Sequence, residues 1–293
     1  VNPWAFHPHP DVWALIAVIG IAYWWALRHM APRELGRRER APGRKVATFG
    51  AGLALMWAVS DWPVHDLAED YLYSVHMVQH TLLSLAVPGL LLLGIPTWLQ
   101  QRLVRPPVIR GFLQRAARPL VAAVVFNAVV AFSHWPAFVD ATLRNELLHF
   151  AAHALLFAAA GLMWIPVVNR LPELPTMSYP TRMVYLFLQS VVPTVPASFL
   201  TFAEGPVYRF YGSVPRPFAI SVVEDQQLAG AIMKLGGGLI LWGTIIVLFF
   251  RWYEGEQQAA KRRRAGVLTW DDVERELHAT PPAPEPSRPN LRQ

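Results

Sequence analysis

The segment Val75–Pro96 reads VHMVQHTLLSLAVPGLLLLGIP. From Thr81 onward it has no charged side chain, while its first turns place His76 and His80 four residues apart. A bilayer core about 30 Å thick needs about 20 apolar residues at a helical rise of 1.5 Å. The run is too long and too evenly apolar for a barrel strand, which would alternate at every second residue. It reads as the middle of a membrane-crossing helix, Tyr71–Leu93, with imidazoles near one end.

Working outward, six further segments have the same character: Val12–Leu27, Val46–Val59, Leu120–Trp135, Leu147–Val168, Met183–Phe202 and Leu228–Tyr253. Over 293 residues the chain is 54% hydrophobic and only 16% charged, with mean hydropathy +0.28. That excludes a single soluble core and predicts an all-α polytopic membrane protein with seven transmembrane helices. The formal charge of +6 reads as membrane orientation rather than nucleic-acid binding. Seven basic residues lie in Arg28–Lys45, five in Arg102–Arg118, two at Arg170 and Arg182, and five in Arg251–Arg264, whereas the alternate loops hold only Arg144, Arg209 and Arg216. Cytoplasmic loops concentrate Lys and Arg, so the N-terminus is expected outside and the C-terminus in the cytoplasm of a bacterial inner membrane. The outer loops instead hold Asp61, Asp66, Glu69, Asp70, Asp140, Glu146, Glu204, Glu224 and Asp225.

Residues 1–253 thus form the expected membrane domain, and 254–293 a cytosolic, mobile tail with a basic cluster, a short amphipathic stretch at Trp270–His278 and the run TPPAPEPSRPN. The KRRR run suits lipid headgroups. The opening VNPWAFHPHPD lacks the basic n-region and small-residue cleavage site of a signal peptide.

There are no cysteines, which removes disulfides, Fe–S clusters and thiolate metal sites and leaves His, Met and carboxylates as metal-binding chemistry. Eight of the ten histidines fall on the expected outer side: His7, His9 and His65 in outer segments, His76 and His80, His134, and His149 and His153. His76/His80 and His149/His153 have i,i+4 spacing, which puts both rings on one helix face and lets them share an ion. Interfacial hydrogen bonding suffices for His7, His9 and His65. For the paired rings a metal role is expected, because ionisable groups inside a membrane are costly unless they function. Imidazole suits copper, zinc and iron. Paired haems would instead need histidines 13 or 14 residues apart on one helix. Met77 offers a thioether, though methionine is also ordinary filler.

Asp70, Glu146, Glu224 and Asp225 are candidates to accept an imidazole N–H and hold its tautomer, while Glu224 and Asp225 also suit helix capping. Gly236–Gly238 reads as a packing surface, Pro193 and Pro196 as a kink, and Pro88 as a bend inward of the His pair. Lys234 lies about 14 Å beyond Asp225 along its helix and is expected to snorkel towards the outer cluster. A lysine in a seventh helix also suits a retinal protein, but the third helix offers His76, Gln79 and His80 where counter-ions would stand.

The blocks Val75–Pro96, FNAVVAFSHWPAFVDATLRN (Phe126–Asn145), LLHFAAHALLFAAAGLMWIPV (Leu147–Val167) and EDQQLAGAIMKLGGG (Glu224–Gly238) resemble the multi-span CtaG family of cytochrome c oxidase assembly proteins over about residues 10–253. The resemblance implies a seven-helix, non-enzymatic inner-membrane protein that handles copper for haem–copper oxidase biogenesis, and carries over His76, His80, His134, His149, His153 and Asp225. Lys234 stands where an apolar residue is expected. The resulting expectation is a metallochaperone that takes copper from an outer-side donor into an intramembrane histidine pocket and delivers it to the oxidase catalytic subunit. The alternative is a membrane metalloenzyme using the same histidines with zinc, copper or iron. A homo-oligomer completing the coordination is left open.

Overall fold

The computed structural model describes residues 2–31, 33–34, 37–38, 41–169, 171–265 and 270–279. Among these the chain is helical, apart from loops and a two-residue antiparallel ribbon, Arg33–Glu34 with Arg37–Arg38. The helices are α1 (Pro10–His29), α2 (Gly43–Ser60), α3 (Val64–Asp70), α4 (Tyr73–Thr81), α5 (Val87–Gly94), α6 (Thr97–Val104), α7 (Pro107–Ala116), α8 (Pro119–Ser133), α9 (Pro136–Thr142), α10 (Glu146–Val168), α11 (Tyr179–Val191), α12 (Thr194–Thr201), α13 (Val222–Ala265) and α14 (Trp270–Ala279).

Five helical stretches are long and apolar enough to cross a membrane: Pro10–His29, Tyr73–Gly94, Glu146–Val168, Tyr179–Thr201 and Val222–Lys261. The bent pair α7–α8, turned by 78° between its halves, gives a sixth if counted as one span. The two segments that fall short of the expected seven have local reasons. α2 has the length, but its first turn carries Arg44 and Lys45, and α8 alone has 15 residues.

The quoted segment is a composite. Pro88 has no N–H to offer the Ser84 carbonyl, and just before it the helix widens into a π turn, Leu82–Ala86, between α4 and α5. Pro193 likewise interrupts Tyr179–Thr201, where the Thr194 hydroxyl donates to the Ser190 carbonyl at 3.1 Å.

The core gathers Leu85, Phe126, Leu156, Ala160, Met163, Trp164, Leu186 and Leu241, from the π turn, α8, α10, α11 and α13. Leu120, Leu147, Phe199, Phe202 and Leu239 stay exposed, which suits a surface facing hydrocarbon. α12 approaches α13 tightly at Gly230, where a Cβ would lie 2.5 Å from Thr201 Oγ1 and 2.6 Å from the Ala197 carbonyl oxygen. The expected glycine run is looser but packs on one side: a Cβ at Gly237 would lie 3.3 Å from Leu85, whereas one at Gly238 would meet nothing within 4 Å.

Contacts alternate between the two ends of the helices. Where α1, α4, α10 and α13 begin, α2 and α8 end: Trp13 donates to Asp61 at 2.7 Å, Tyr73 to Asp225 at 2.9 Å, and His80 lies beside His134. Where α1 finishes, an open cleft is lined by His29, Trp98, Arg102, Arg105, Arg110 and Glu173.

The chain divides into compact units Val1–Leu248 and Phe249–Gln293, the boundary lying inside α13. α13 runs to Ala265, past the expected end at Tyr253. In the second unit the amphipathic stretch is the helix Trp270–Ala279. The Pro-rich part of the expected tail, residues 280–293, lies outside the described residues.

Candidate metal centre

The site is assembled from three helix starts and one short helix. α3 places His65 and Glu69 on one face by their i,i+4 spacing. The chain then turns at Tyr71 and extended Leu72, and α4 begins at Tyr73, packed against α3. The fully buried Asp225 of α13 caps that start: its two oxygens accept the backbone N–H groups of Tyr73 at 2.9 Å and Ser74 at 3.0 Å. Arg216 lies 3.5 Å from the same carboxylate. α10 begins where Asn145 Oδ1 accepts the Leu148 N–H at 2.9 Å, which sets His149 and His153 in its opening turns.

Glu69, His76, His149 and His153 each offer one ligand atom, and all four atoms lie within 4.8 Å of one another. Glu69 Oε1 is 3.3 Å from His76 Nδ1 and 3.2 Å from His149 Nε2. His149 Nε2 is 2.6 Å from His153 Nε2, which is 3.3 Å from His80 Nε2. The contacts of Glu69 lack hydrogen-bond geometry, so Glu69 Oε1 and His76 Nδ1 are buried with no hydrogen-bond partner, as is His80 Nδ1. Buried polar atoms are normally paired; a carboxylate oxygen and a ring nitrogen 3.3 Å apart, both without a hydrogen bond, suit a site that a cation would complete. Burial pushes the Glu69 carboxyl up, but His149 and His76 beside it outweigh burial and hold it well below the usual carboxylate range. Glu69 is therefore an anion at neutral pH, and the site presents one negative charge and several imidazole nitrogens.

All five histidines expected from the sequence line one narrow cavity with Tyr73, Met77 and Phe138. His134 stands at its edge, its ring 6.3 Å from that of His80. Its Nδ1 bonds the Val130 carbonyl at 2.7 Å, leaving Nε2 as the ring nitrogen without a proton. Met77 is buried among Tyr73, Val139, Leu200 and Tyr208.

Glu224 caps its helix as expected, whereas none of Asp70, Glu146, Glu224 and Asp225 bonds an imidazole among the described residues. Glu69 meets the imidazoles, whereas its neighbour Asp70 is exposed at the end of α3, because successive helical residues point about 100° apart. Asp70 stands six residues before His76, but the turn at Tyr71–Leu72 puts the two on separate helices. Partial desolvation, with the neighbouring charges of Asp66 and Glu69, raises the Asp70 pKa. Asp225 bonds backbone N–H groups rather than an imidazole. Glu224 closes a capping box with Ser221, its Oε2 accepting the Ser221 N–H at 2.9 Å while Ser221 Oγ accepts the Glu224 N–H at 3.2 Å. Glu146 is exposed in the first turn of α10. Lys234 is exposed on α13, beside a cavity that His80, His134 and Gln189 also line, and makes no ion pair among the described residues.

The profile of the cytochrome c oxidase caa3 assembly factor family (Caa3_CtaG) matches residues 21–255. The chain belongs to that family. The matched stretch takes in the helices that carry the histidine cavity. Among curated proteins, this family member is 28% identical over 215 residues to uncharacterized proteins of Mycobacterium bovis and Mycobacterium tuberculosis, covering 65% of the chain and 31% of each relative. An uncharacterized protein of Mycobacterium leprae is 26% identical over 256 residues, 78% of the chain and 37% of the relative. The chain thus spans about a third of the length of these relatives. No solved structure matches it.

Proposed function

We propose that this assembly factor binds copper as cargo at Glu69, His76, His149 and His153, with His80 and His134 within the same cavity, and releases it to the catalytic subunit of the oxidase. The observation that carries this reading is the convergence of one carboxylate oxygen and three imidazole nitrogens, two of these atoms buried without hydrogen bonds. Nitrogen and oxygen donors without thiolate suit copper, with zinc or iron as competitors. The ion's role is to be carried; the chain acts as a carrier rather than an enzyme, accepting it from an outer-side donor.

In the same reading the chain crosses a bacterial inner membrane seven times, N-terminus outside, with α2 and α8 completing the count. The alternation of helix ends supports this, since Arg102, Arg105 and Arg110 line one cleft with His29 at the end remote from the metal centre. The test is elemental analysis of the purified chain beside His149→Ala/His153→Ala. About one copper per chain more in wild type than in the variant is expected; equal copper in both overturns the proposal.

A further inference from the structure

The N-terminal segment carries a second set of imidazoles that the centre does not use. Trp62 holds this segment in place, its Nε1 donating to the Ala5 carbonyl at 2.9 Å and its ring meeting Phe6 edge-on. Beyond it, His7 Nδ1 lies 2.8 Å from Asp66 Oδ2, and His9 Nε2 lies 2.6 Å from Asp66 Oδ1. Asp66 is 5% exposed, whereas His7 is 62% exposed and His9 22%. A buried carboxylate gripping one nitrogen of each of two rings is the arrangement found behind metal-ligating histidines, where it fixes the tautomer and raises the basicity of the other nitrogen. Here those other nitrogens are His7 Nε2 and His9 Nδ1, which make no hydrogen bond among the described residues.

The pair also stands at the head of a path. The His9 ring meets His65 edge-on, with centroids 4.9 Å apart. His65 Nδ1 contacts Gln79 of α4 at 3.2 Å, and His65 shares a face of α3 with Glu69, four residues on. Imidazoles and carboxylates thus follow one another from the exposed surface to the buried centre.

We infer that His7 and His9, oriented by Asp66, form an outer capture site for a first-row transition-metal cation, from which the ion passes by His65 to Glu69 and the buried imidazoles. The site takes the ion through the two free ring nitrogens, with water completing the coordination, and so binds more weakly than the centre it feeds. The destination rests on the proposed copper role of that centre; the capture site itself does not.

Cu(II) equilibrium dialysis of the full chain in detergent separates the two. Wild type is expected to bind two equivalents, His7→Gln/His9→Gln one, His149→Ala/His153→Ala one, and the combined variant none. Asp66→Asn is expected to weaken the outer equivalent about tenfold while leaving the inner one. One equivalent in wild type, unaffected by His7→Gln/His9→Gln in amount and loading rate, overturns the capture site and leaves the inner centre standing. One equivalent lost only in His7→Gln/His9→Gln overturns the inner centre instead, and no binding at all overturns both.

Discussion

Asp225 and Tyr73 are 152 residues apart in the chain, yet the Asp225 carboxylate, sealed from solvent, accepts the Tyr73 backbone N–H at 2.9 Å. This bond and its twin to Ser74 join the start of α13 to the start of the helix bearing His76 and His80. Asp225→Ala leaves two buried N–H groups without acceptors and is expected to cost about 2 kcal/mol. Thermal unfolding in detergent measures that loss, and copper content reads whether α4 still presents its imidazoles. Unchanged stability and copper in the variant would remove Asp225 from its positioning role.

Glu69 and Asp70 are adjacent but differently placed, which makes them a matched pair for mutation. Glu69→Gln removes the anion among the imidazoles and is expected to weaken copper binding at least about tenfold, since losing even an outer partner of a ligand costs that much. Asp70→Asn, on the exposed side of α3, is expected to leave affinity unchanged. Copper titration of both proteins decides the matter; equal affinities would exclude Glu69 as a ligand.

The α12–α13 contact predicts a contrast between two glycines. Gly230→Ala drives a methyl group against Thr201 and the Ala197 carbonyl and is expected to destabilise by about 1–3 kcal/mol. Gly238→Ala meets open space, so the better helix propensity of alanine is expected to raise stability by about 0.5–1 kcal/mol. Melting temperatures moving in opposite directions are the expected readout.

Asp61 provides a pH test away from the metal centre. Burial pushes its carboxyl up, but hydrogen bonds from Trp13, the Trp62 backbone and Trp57 prevail and lower its pKa. A carboxyl with a depressed folded-state pKa contributes stability fully above its unfolded value, near pH 4, and loses it as pH falls through the folded value. Unfolding followed from pH 6 downward is therefore expected to show a steeper loss for wild type than for Asp61→Asn. Parallel curves would show that these indole contacts add nothing.

The parts of this protein legible in sequence are those set by local geometry. An apolar run of sufficient length forms a helix because no water is present to satisfy its backbone, and histidines four apart share a face because the helix turns 100° per residue. Hence Tyr73–Gly94, Glu146–Val168 and both His pairs were readable, as was the amphipathic helix Trp270–Ala279. Glu69 was visible as an outer carboxylate, but its partnership with His76 and His149 depends on a chain reversal at Tyr71–Leu72 that no periodicity announces.

Tertiary structure decided the remainder. Whether the imidazoles of α4 and α10 meet, whether Asp225 bonds a ring or a backbone, and whether His7 and His9 find Asp66 all depend on which helix ends pack together. Such contacts join residues separated by as many as 152 positions, and their geometry is set by side-chain packing between helices rather than by residues within one turn. Spacing along the chain fixes a face; only packing decides what that face meets.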